Sequence, residues 1–219
     1  AFLTTGVAFK IAAVPFHYWT PDAYQGSPTP VTGYLSVGPK VGAFALIIRL
    51  FGEALWPVAD VWLPIILVLS TLTMSLGNLV ALTQDNVKRM LAYSSIAHTG
   101  YMLVGLAAYA AGRLDGLEGL LFYLVAYTFM NLGAFAVISA IQKRTGVTSG
   151  LGTFAGLVRR EPVLAILFTL FLLSLTAMLI AIVVGIPLGL WAGLKPNAFS
   201  GRSIMAGSIL GFSLPPFWV

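Results

Sequence analysis

The sequence lacks cysteine altogether and is poor in charged residues. None of its 219 residues is cysteine, which excludes disulfide bonds and thiolate metal sites within the chain. Charged residues make up only 9% of the sequence, whereas soluble globular domains carry about 25%. An HExxH sequence, a cysteine cluster and a dinucleotide-binding glycine pattern are also missing. We therefore expect no metal, dinucleotide, flavin or iron–sulfur site in the chain.

Apolar residues are what the sequence has in abundance. They make up 58% of the chain, and the mean hydropathy is +0.93. A bilayer-spanning helix needs about 20 predominantly apolar residues, and runs of roughly this length recur between short polar links. The pattern predicts an all-α, polytopic transmembrane helix bundle of about six or seven membrane segments. The first five predicted spans lie at residues 1–15, 31–51, 61–83, 90–110 and 119–141.

The net charge of +5 does not indicate a nucleic-acid-binding protein, because the basic residues lie in the links between apolar runs. The links at 16–30, 84–89 and 142–161 together contain six lysines and arginines, whereas those at 49–60 and 111–118 contain two. Cytoplasmic links of membrane proteins are enriched in these residues. We therefore expect the chain to interact with the lipid bilayer and not with nucleic acid. We also expect the side of the membrane with the six basic residues to be cytoplasmic.

Two lysines interrupt the first two apolar runs. Lys10 lies within residues 2–15 and Lys40 near the centre of residues 31–50, where inserting a charge costs about 2.5–3.5 kcal/mol or more. Lys40 is about nine residues, or about 14 Å, from either end of its run, too far for its amine to reach the interface. Ionisable residues at such depth usually mark ion or proton paths. We therefore predict that Lys10 and Lys40 lie on an ion or proton path.

The fourth predicted span, 90–110, carries several polar side chains near its start. Ser94, Ser95 and Tyr101 each lie three or four residues from His98, which places them on its helix face. A lipid-facing helix would not carry so many polar groups, so this span is predicted to pack inside the bundle. His98 could relay a proton, since imidazole titrates near neutral pH. The alternative is a histidine that is hydrogen-bonded within the polar face, with the two serines as helix contacts.

Some other polar residues also have two interpretations. Tyr127 and Asn131, four residues apart in the fifth span, are predicted to make interhelical hydrogen bonds or to line the same path. His17 is predicted at the membrane interface, and Asp22 in a turn or at the end of a helix. No residue of the chain is predicted to be catalytic.

The last long apolar run is irregular. Residues 162–194 contain no charge, and as one helix of 33 residues they would be about 50 Å long. This exceeds a hydrocarbon core of about 30 Å, yet two spans would need about 40 residues and a turn. We therefore expect an irregularity between residues 162 and 195.

Three strings resemble those of a known family: FKIAAVPFHYWTPDAYQGSPTPVT, GNLVALTQDNVKRMLAYSSIAHTGYMLVGL and LLFYLVAYTFMNLGAFAVI. They are similar to subunit N of proton-pumping NADH–quinone oxidoreductase, respiratory complex I, which is one of the antiporter-like subunits. The resemblance covers residues 1–175 and implies a partial antiporter-like fold with a discontinuous helix near Lys10–Pro15. It also implies that Lys10 and Lys40 belong to a buried polar axis that relays protons.

The same resemblance implies the setting of the chain. Its partners would be the other membrane-arm subunits of complex I, in a bacterial inner (plasma) membrane that the chain crosses several times. NADH, FMN, iron–sulfur clusters and quinone would be bound by other subunits, so this chain would be a non-redox component of the translocase and hold no cofactor. A cation/proton antiporter subunit shares the fold and is a variant of this interpretation.

From Thr176 onward the sequence resembles a second family. TAMLIAIVVGIPLGLWAGLKPN and GRSIMAGSILGFSLPPFWV look like a dipeptide/oligopeptide ABC transporter permease. We therefore expect an antiporter-like proton-translocation fragment at 1–175 and a permease-like transmembrane fragment at 176–219. The alternative function, a peptide ABC importer, would require an ATPase and a binding protein as partners. Another alternative is an inactive chimera, since the chain starts without methionine and both ends look truncated.

Overall fold

The computed structural model describes residues 2–113, 115–146 and 149–180, with side chains as far as residue 171. Two compact units are distinguished, Ala1–Leu164 and Ala165–Val219. Within the described ranges the structure is helical, with an isolated β-bridge between Asn86 and Gly150. The helices in chain order are α1 (Phe2–Lys10), α2 (Trp19–Gly26), α3 (Thr29–Arg49), α4 (Ala59–Ala81), α5 (Val87–Ala110), α6 (Asp115–Thr145), α7 (Leu157–Arg160) and α8 (Pro162–Ile180).

Three helical stretches of the described part are long and apolar enough to cross a membrane: Thr29–Ala54, Trp56–Ala81 and Asp115–Thr145. The first two include the short turns that join α3 to α4, a π-helical turn and a 3₁₀ turn. Large apolar side chains such as Phe122 and Phe129 are exposed on α6, as a helix bundle in lipid requires. The all-α membrane bundle predicted from composition is confirmed, whereas the number of six or seven membrane segments stays a prediction.

Helix α5 is the centre of the bundle. It has 24 residues, about 36 Å of helix, and packs against α2, α3, α4 and α6. Its polar side chains Ser94, Ser95 and His98 are buried. The prediction that this polar span packs inside the bundle is therefore confirmed.

Glycines bring α4 and α5 into close contact. A Cβ atom at Gly77 would lie 2.7 Å from the backbone nitrogen of Ala97, and one at Gly100 would lie 2.8 Å from that of Met74. Small residues at helix interfaces allow this approach, which membrane helices use because lipid offers no hydrophobic driving force between them. Any side chain at either glycine would push the two helices apart.

The backbone after α1 is irregular and buried, as the predicted discontinuous helix requires. Residues 11–14 are at most 6% exposed. The carbonyl oxygen of Ile11 accepts a hydrogen bond from Thr99 Oγ1 of α5 at 3.0 Å. The backbone N–H of Val14 donates to Thr73 Oγ1 of α4, also at 3.0 Å. Non-helical backbone at membrane depth is tolerated only where protein or water satisfies its polar groups, and these two threonines do so.

Residues 16–30 link two segments as predicted, but the link is partly helical. They contain the two-turn helix α2, in which Pro21 lies in the first turn, where its missing N–H is not needed. Asp22 lies in the same turn, which is the helix-end position predicted as one of its two alternatives, and α3 begins with Pro30 at its second position. Helix α3 continues through Pro39 as far as Arg49.

The three links predicted to share one side of the membrane meet at one end of the first unit. Val87 N–H donates to the Ser149 carbonyl at 2.8 Å, and Lys88 Nζ donates to the Ser27 carbonyl at 2.6 Å. At the other end, the rings of Trp56 and Tyr109 are 5.0 Å apart. The grouping of the links is confirmed, whereas the cytoplasmic location of the basic end stays a prediction.

The expected boundary at 175/176 falls within α8, which runs from Pro162 to Ile180. The expected permease-like segment, 176–219, lies almost entirely outside the described residues. The boundary and the irregularity expected between 162 and 195 therefore stay predictions.

Candidate functional site

Lys40 lies in the interior of the bundle. It is 3% exposed, and its Nζ donates hydrogen bonds to both the backbone oxygen and the hydroxyl of Ser95, the latter at 2.6 Å. Nζ also lies 5.5 Å from the centroid of the Tyr127 ring, within the range of a cation–π contact. The lysine of α3 is thus held by one serine of α5 and one tyrosine of α6.

The Ser95 hydroxyl is the common partner of three side chains. Besides Lys40 it contacts the hydroxyl of Tyr24 from α2 at 3.2 Å and that of Tyr127 at 2.7 Å. Tyr127 in turn donates to the backbone oxygen of Ser36 on α3 at 2.9 Å. Four helices therefore contribute to one buried cluster, defined by Lys40, Ser95, Tyr24, Tyr127 and Ser36 and called here the lysine cluster.

The lysine cluster contains no acidic group. Within the described part of the chain the ion pairs are Arg89–Asp22, Arg113–Asp115 and Arg144–Glu161, and none involves Lys40. Its partners are neutral oxygens and an aromatic face. A lysine in such surroundings can exchange its proton without breaking an ion pair, which is what reversible protonation requires.

His98 lies beside the lysine cluster on the same helix as Ser95. It is 3% exposed, and its Nδ1 is hydrogen-bonded to the hydroxyl of Tyr123 at 2.6 Å. The His98 ring is 5.1 Å from that of Tyr127. It is also 6.4 Å from the ring of Tyr101, whose hydroxyl accepts a hydrogen bond from Asn78 at 3.2 Å. Tyr127 therefore stands between the buried lysine and the buried histidine.

Lys10 occupies a different environment. It is the last residue of α1 and is exposed, and its side chain makes no hydrogen bond or ion pair with the described residues. It does adjoin the break: the Ile11 carbonyl accepts from Thr99 Oγ1, whose one hydrogen is shared with the Ser95 carbonyl at 3.2 Å. The structure therefore joins the break to the lysine cluster through the backbone, but does not bring the Lys10 amine into it.

The remaining predicted residues divide in two. Tyr127 makes the interhelical hydrogen bonds expected of it. Ser94 and Asn131 are buried, 4% and 6% exposed, but their side chains make no hydrogen bond with the described residues. The interhelical bond predicted for Asn131 is thus not seen there. The side chains of α5 that carry the site are Ser95 and His98.

Several members of the site were not identified from the sequence. Tyr123 is four residues before Tyr127, and Ser36 is four residues before Lys40, so helical spacing alone could have found both. Tyr24 carried no such signal, because it lies in a predicted link and tyrosine is common at membrane interfaces. His17, assigned to the interface, is half-buried with its ring 6.4 Å from that of Tyr93. No cluster of potential metal ligands occurs in the described residues.

Comparison with known proteins identifies a family and several relatives. The family described as NADH:quinone oxidoreductase/Mrp antiporter, TM, matches residues 1–192. NADH-quinone oxidoreductase subunit N of Trichlorobacter lovleyi is 49% identical over 176 residues, which are 80% of this chain and 36% of that protein. The chain therefore spans about a third of the length of this curated relative.

Two solved structures have a similar fold. Respiratory complex I from Thermus thermophilus, with bound aureothin, contains a chain that matches 98% of this one with a TM-score of 0.62 and 31% identity. The Mrp complex from Dietzia sp. matches 99% with a TM-score of 0.72 and 26% identity. This chain covers 48% and 41% of those chains, respectively. The comparisons give no support to an ABC permease in residues 176–219, and the family match continues to residue 192, beyond the expected boundary.

Proposed function

The chain belongs to the NADH:quinone oxidoreductase/Mrp antiporter transmembrane family, and on that basis we propose that it is part of a proton-translocating membrane-arm subunit of NADH–quinone oxidoreductase. The subunit relays protons through buried lysines, coupled to quinone reduction in other subunits. The observation that carries the proposal is the lysine cluster. It holds a buried amine among neutral partners, in a chain 49% identical to a subunit N over 176 residues.

Within this function, Lys40 is the proton-exchanging group and His98 its neighbour in the path. Lys10, at the break after α1, is the next exchange site, and its exposed amine would face a part of the subunit outside this chain. Ser95 and Tyr127 line the path, whereas Ser94 and Asn131 are helix contacts. The chain carries out no redox chemistry; NADH, FMN, iron–sulfur clusters and quinone belong to other subunits.

The setting follows from the same proposal. The chain is an integral membrane protein, and the matched structures are multi-subunit membrane complexes. We place it in the bacterial plasma membrane, with other membrane-arm subunits of the complex as its partners.

A cation/proton antiporter subunit is the second candidate, because the Dietzia Mrp complex has the higher TM-score, 0.72 against 0.62. The sequence favours complex I, with 49% identity to a subunit N against 26% to the Mrp chain. Proton uptake driven by NADH in membrane vesicles distinguishes the two, since an Mrp-type subunit would instead exchange cations without NADH.

The proposal is tested by substituting Lys40 with alanine in the complete subunit, assembled in its complex. We expect the number of protons pumped per NADH to fall, while NADH oxidation with an artificial electron acceptor continues. Lys143→Ala is the matched control, because Lys143 is an exposed lysine near the end of α6. Normal pumping by Lys40→Ala would overturn the proposal.

A further inference from the structure

Hydrogen-bond directions in the lysine cluster follow from counting donors and acceptors. The backbone oxygen of Ser36 can only accept, so Tyr127 donates its one hydroxyl hydrogen to it. The contact of 2.7 Å between Tyr127 and Ser95 then requires Ser95 to be the donor. With its own hydrogen committed, Ser95 accepts from Tyr24, 3.2 Å away, and from the Lys40 ammonium, which can only donate.

This arrangement fills the capacity of the Ser95 hydroxyl while Lys40 is charged. A serine oxygen has one hydrogen and two lone pairs; the hydrogen goes to Tyr127, and the lone pairs face Tyr24 and Lys40. The chain of bonds ends at the Ser36 carbonyl, which cannot pass a proton on. The cluster is therefore arranged to bind the ammonium group through hydrogen bonds, and it does not form a proton relay.

Loss of a proton from Lys40 changes what its nitrogen offers. The neutral amine keeps two N–H donors and gains a lone pair, which the Ser95 hydroxyl, 2.6 Å away, can reach by rotating about its C–O bond. Tyr127 keeps its bond to Ser36, and Tyr24 still donates to Ser95. Rotation of the Ser95 hydroxyl thus gives neutral Lys40 a hydrogen-bond donor, just as the first arrangement gives charged Lys40 an acceptor.

We propose that the Ser95 hydroxyl is a two-position switch that accompanies proton exchange at Lys40, donating to Tyr127 when Lys40 is charged and to the Lys40 amine when it is neutral. In the step itself an Nζ–H bond breaks, its electron pair remains on nitrogen, and the proton passes to a water molecule of the path. Ser95 is therefore a positioning residue. The inference rests on the proposed function and deepens it.

The two tyrosines act differently in this scheme. Tyr127 accepts from Ser95 only in the charged state, whereas Tyr24 donates to Ser95 in both states. Removing the Tyr127 hydroxyl therefore shifts the balance between the states, and removing that of Tyr24 does not. The titratable groups facing the cluster are Tyr24 from α2, His98 from α5 and Tyr127 from α6; Ser95→Ala leaves all three side chains in place but removes the hydrogen bonds of the two tyrosines to Ser95.

The test measures NADH-driven proton pumping by the assembled complex in alkaline and in acidic buffer. The quantity compared is the alkaline rate divided by the acidic rate. We expect Ser95→Ala and Tyr127→Phe to lower this ratio about twofold to tenfold, the equilibrium effect of one hydrogen bond. Tyr24→Phe should keep the wild-type ratio, whatever its effect on the rate itself. Ser94→Ala is the control for Ser95→Ala, because Ser94 is the adjacent buried serine without a hydrogen bond in the described part.

Equal ratios for Tyr24→Phe and Tyr127→Phe would overturn the inference, because a purely structural role predicts that the two variants behave alike. Complete loss of pumping in Ser95→Ala with NADH oxidation retained would also overturn it, in favour of a relay. If Ser95→Ala does not assemble, the pair of tyrosine variants decides alone. Normal pumping by Lys40→Ala would contradict the proposed function itself, so the two failures are distinguishable.

Discussion

At the scale of single residues, the site depends on a lysine that has no counter-ion in the part of the chain that the structure describes. An isolated buried charge is costly unless it is paired or hydrogen-bonded, and among the described residues Lys40 is stabilised by the oxygens of Ser95 and the ring of Tyr127. A carboxylate in direct contact would hold the proton on the amine. Neutral partners leave both protonation states within reach, which suits a group that must bind and release a proton in each cycle.

His98 provides the residue-scale prediction. Its Nδ1 bonds to Tyr123 at 2.6 Å, and an asparagine amide can occupy that position but cannot carry a proton at neutral pH. We expect His98→Asn to lower proton pumping severalfold and Tyr123→Phe, which leaves the imidazole in place, to lower it less. Pumping measured in vesicles with NADH as donor checks this. Wild-type pumping by His98→Asn would show that the histidine is only a hydrogen-bonded interior residue.

At the scale of elements, the break after α1 determines how the neighbouring helices must be built. The N–H groups of residues 11–13 still bond to carbonyls of α1, but the Ile11 carbonyl and the Val14 N–H bond to threonine hydroxyls of α5 and α4 instead. Thr99 is also one turn from Ser95 on α5. Helix α5 therefore bonds both to the break, through Thr99, and to Lys40, through Ser95.

The break can be tested with Thr99→Val, which keeps the shape of the side chain and removes its hydroxyl. The Ile11 carbonyl would lose its partner, at a cost of about 1–3 kcal/mol for a buried unsatisfied group. We expect the midpoint of thermal unfolding of the detergent-purified protein to fall by a few degrees. Thr71→Val is the control, because Thr71 is exposed and bonds only within its own helix, to Leu67. A midpoint equal to that of the control would contradict the role given to Thr99.

At the scale of the molecule, the first unit has two different ends. Links containing Asp85, Lys88 and Ser149 are hydrogen-bonded together at one end, and Arg89 pairs with Asp22 there at 2.5 Å. The opposite end contains Arg113, paired with Asp115. Since cytoplasmic links are rich in lysine and arginine, the first end should be cytoplasmic.

The absence of cysteine from the sequence makes this orientation straightforward to test. Single cysteines at two exposed positions, Lys143→Cys and Arg113→Cys, should react with a membrane-impermeant maleimide from opposite sides. In intact cells we expect labelling of Arg113→Cys only, and in inside-out vesicles labelling of Lys143→Cys only. Labelling of both from one side would contradict the arrangement, and the reverse pattern would contradict only the assignment of the cytoplasmic side.

Composition and pattern were enough to predict the membrane bundle, the interior position of α5 and the grouping of the links. These properties depend on where apolar and charged residues lie along the chain, because the bilayer accepts apolar segments of sufficient length and excludes charged links. The depth of Lys40 followed from the same reasoning. Helix α2 was missed, because the three prolines in residues 16–30 are typical of a loop. Pro21, however, lies in the first turn of α2, where a helix tolerates proline.

The partners of Lys40 were decided only by the tertiary structure. Nothing in the sequence distinguishes Ser94 from Ser95. Ser95 faces Lys40, whereas Ser94 makes no hydrogen bond in the described residues. The difference arises because the close α4–α5 contact at Gly77 and Gly100 determines the rotation of α5. The position of Lys10 outside the cluster is likewise a consequence of packing. Sequence determined that a buried amine needs polar partners; packing decided that Ser95 and Tyr127 supply them, since residues far apart in the chain meet only when helices are docked.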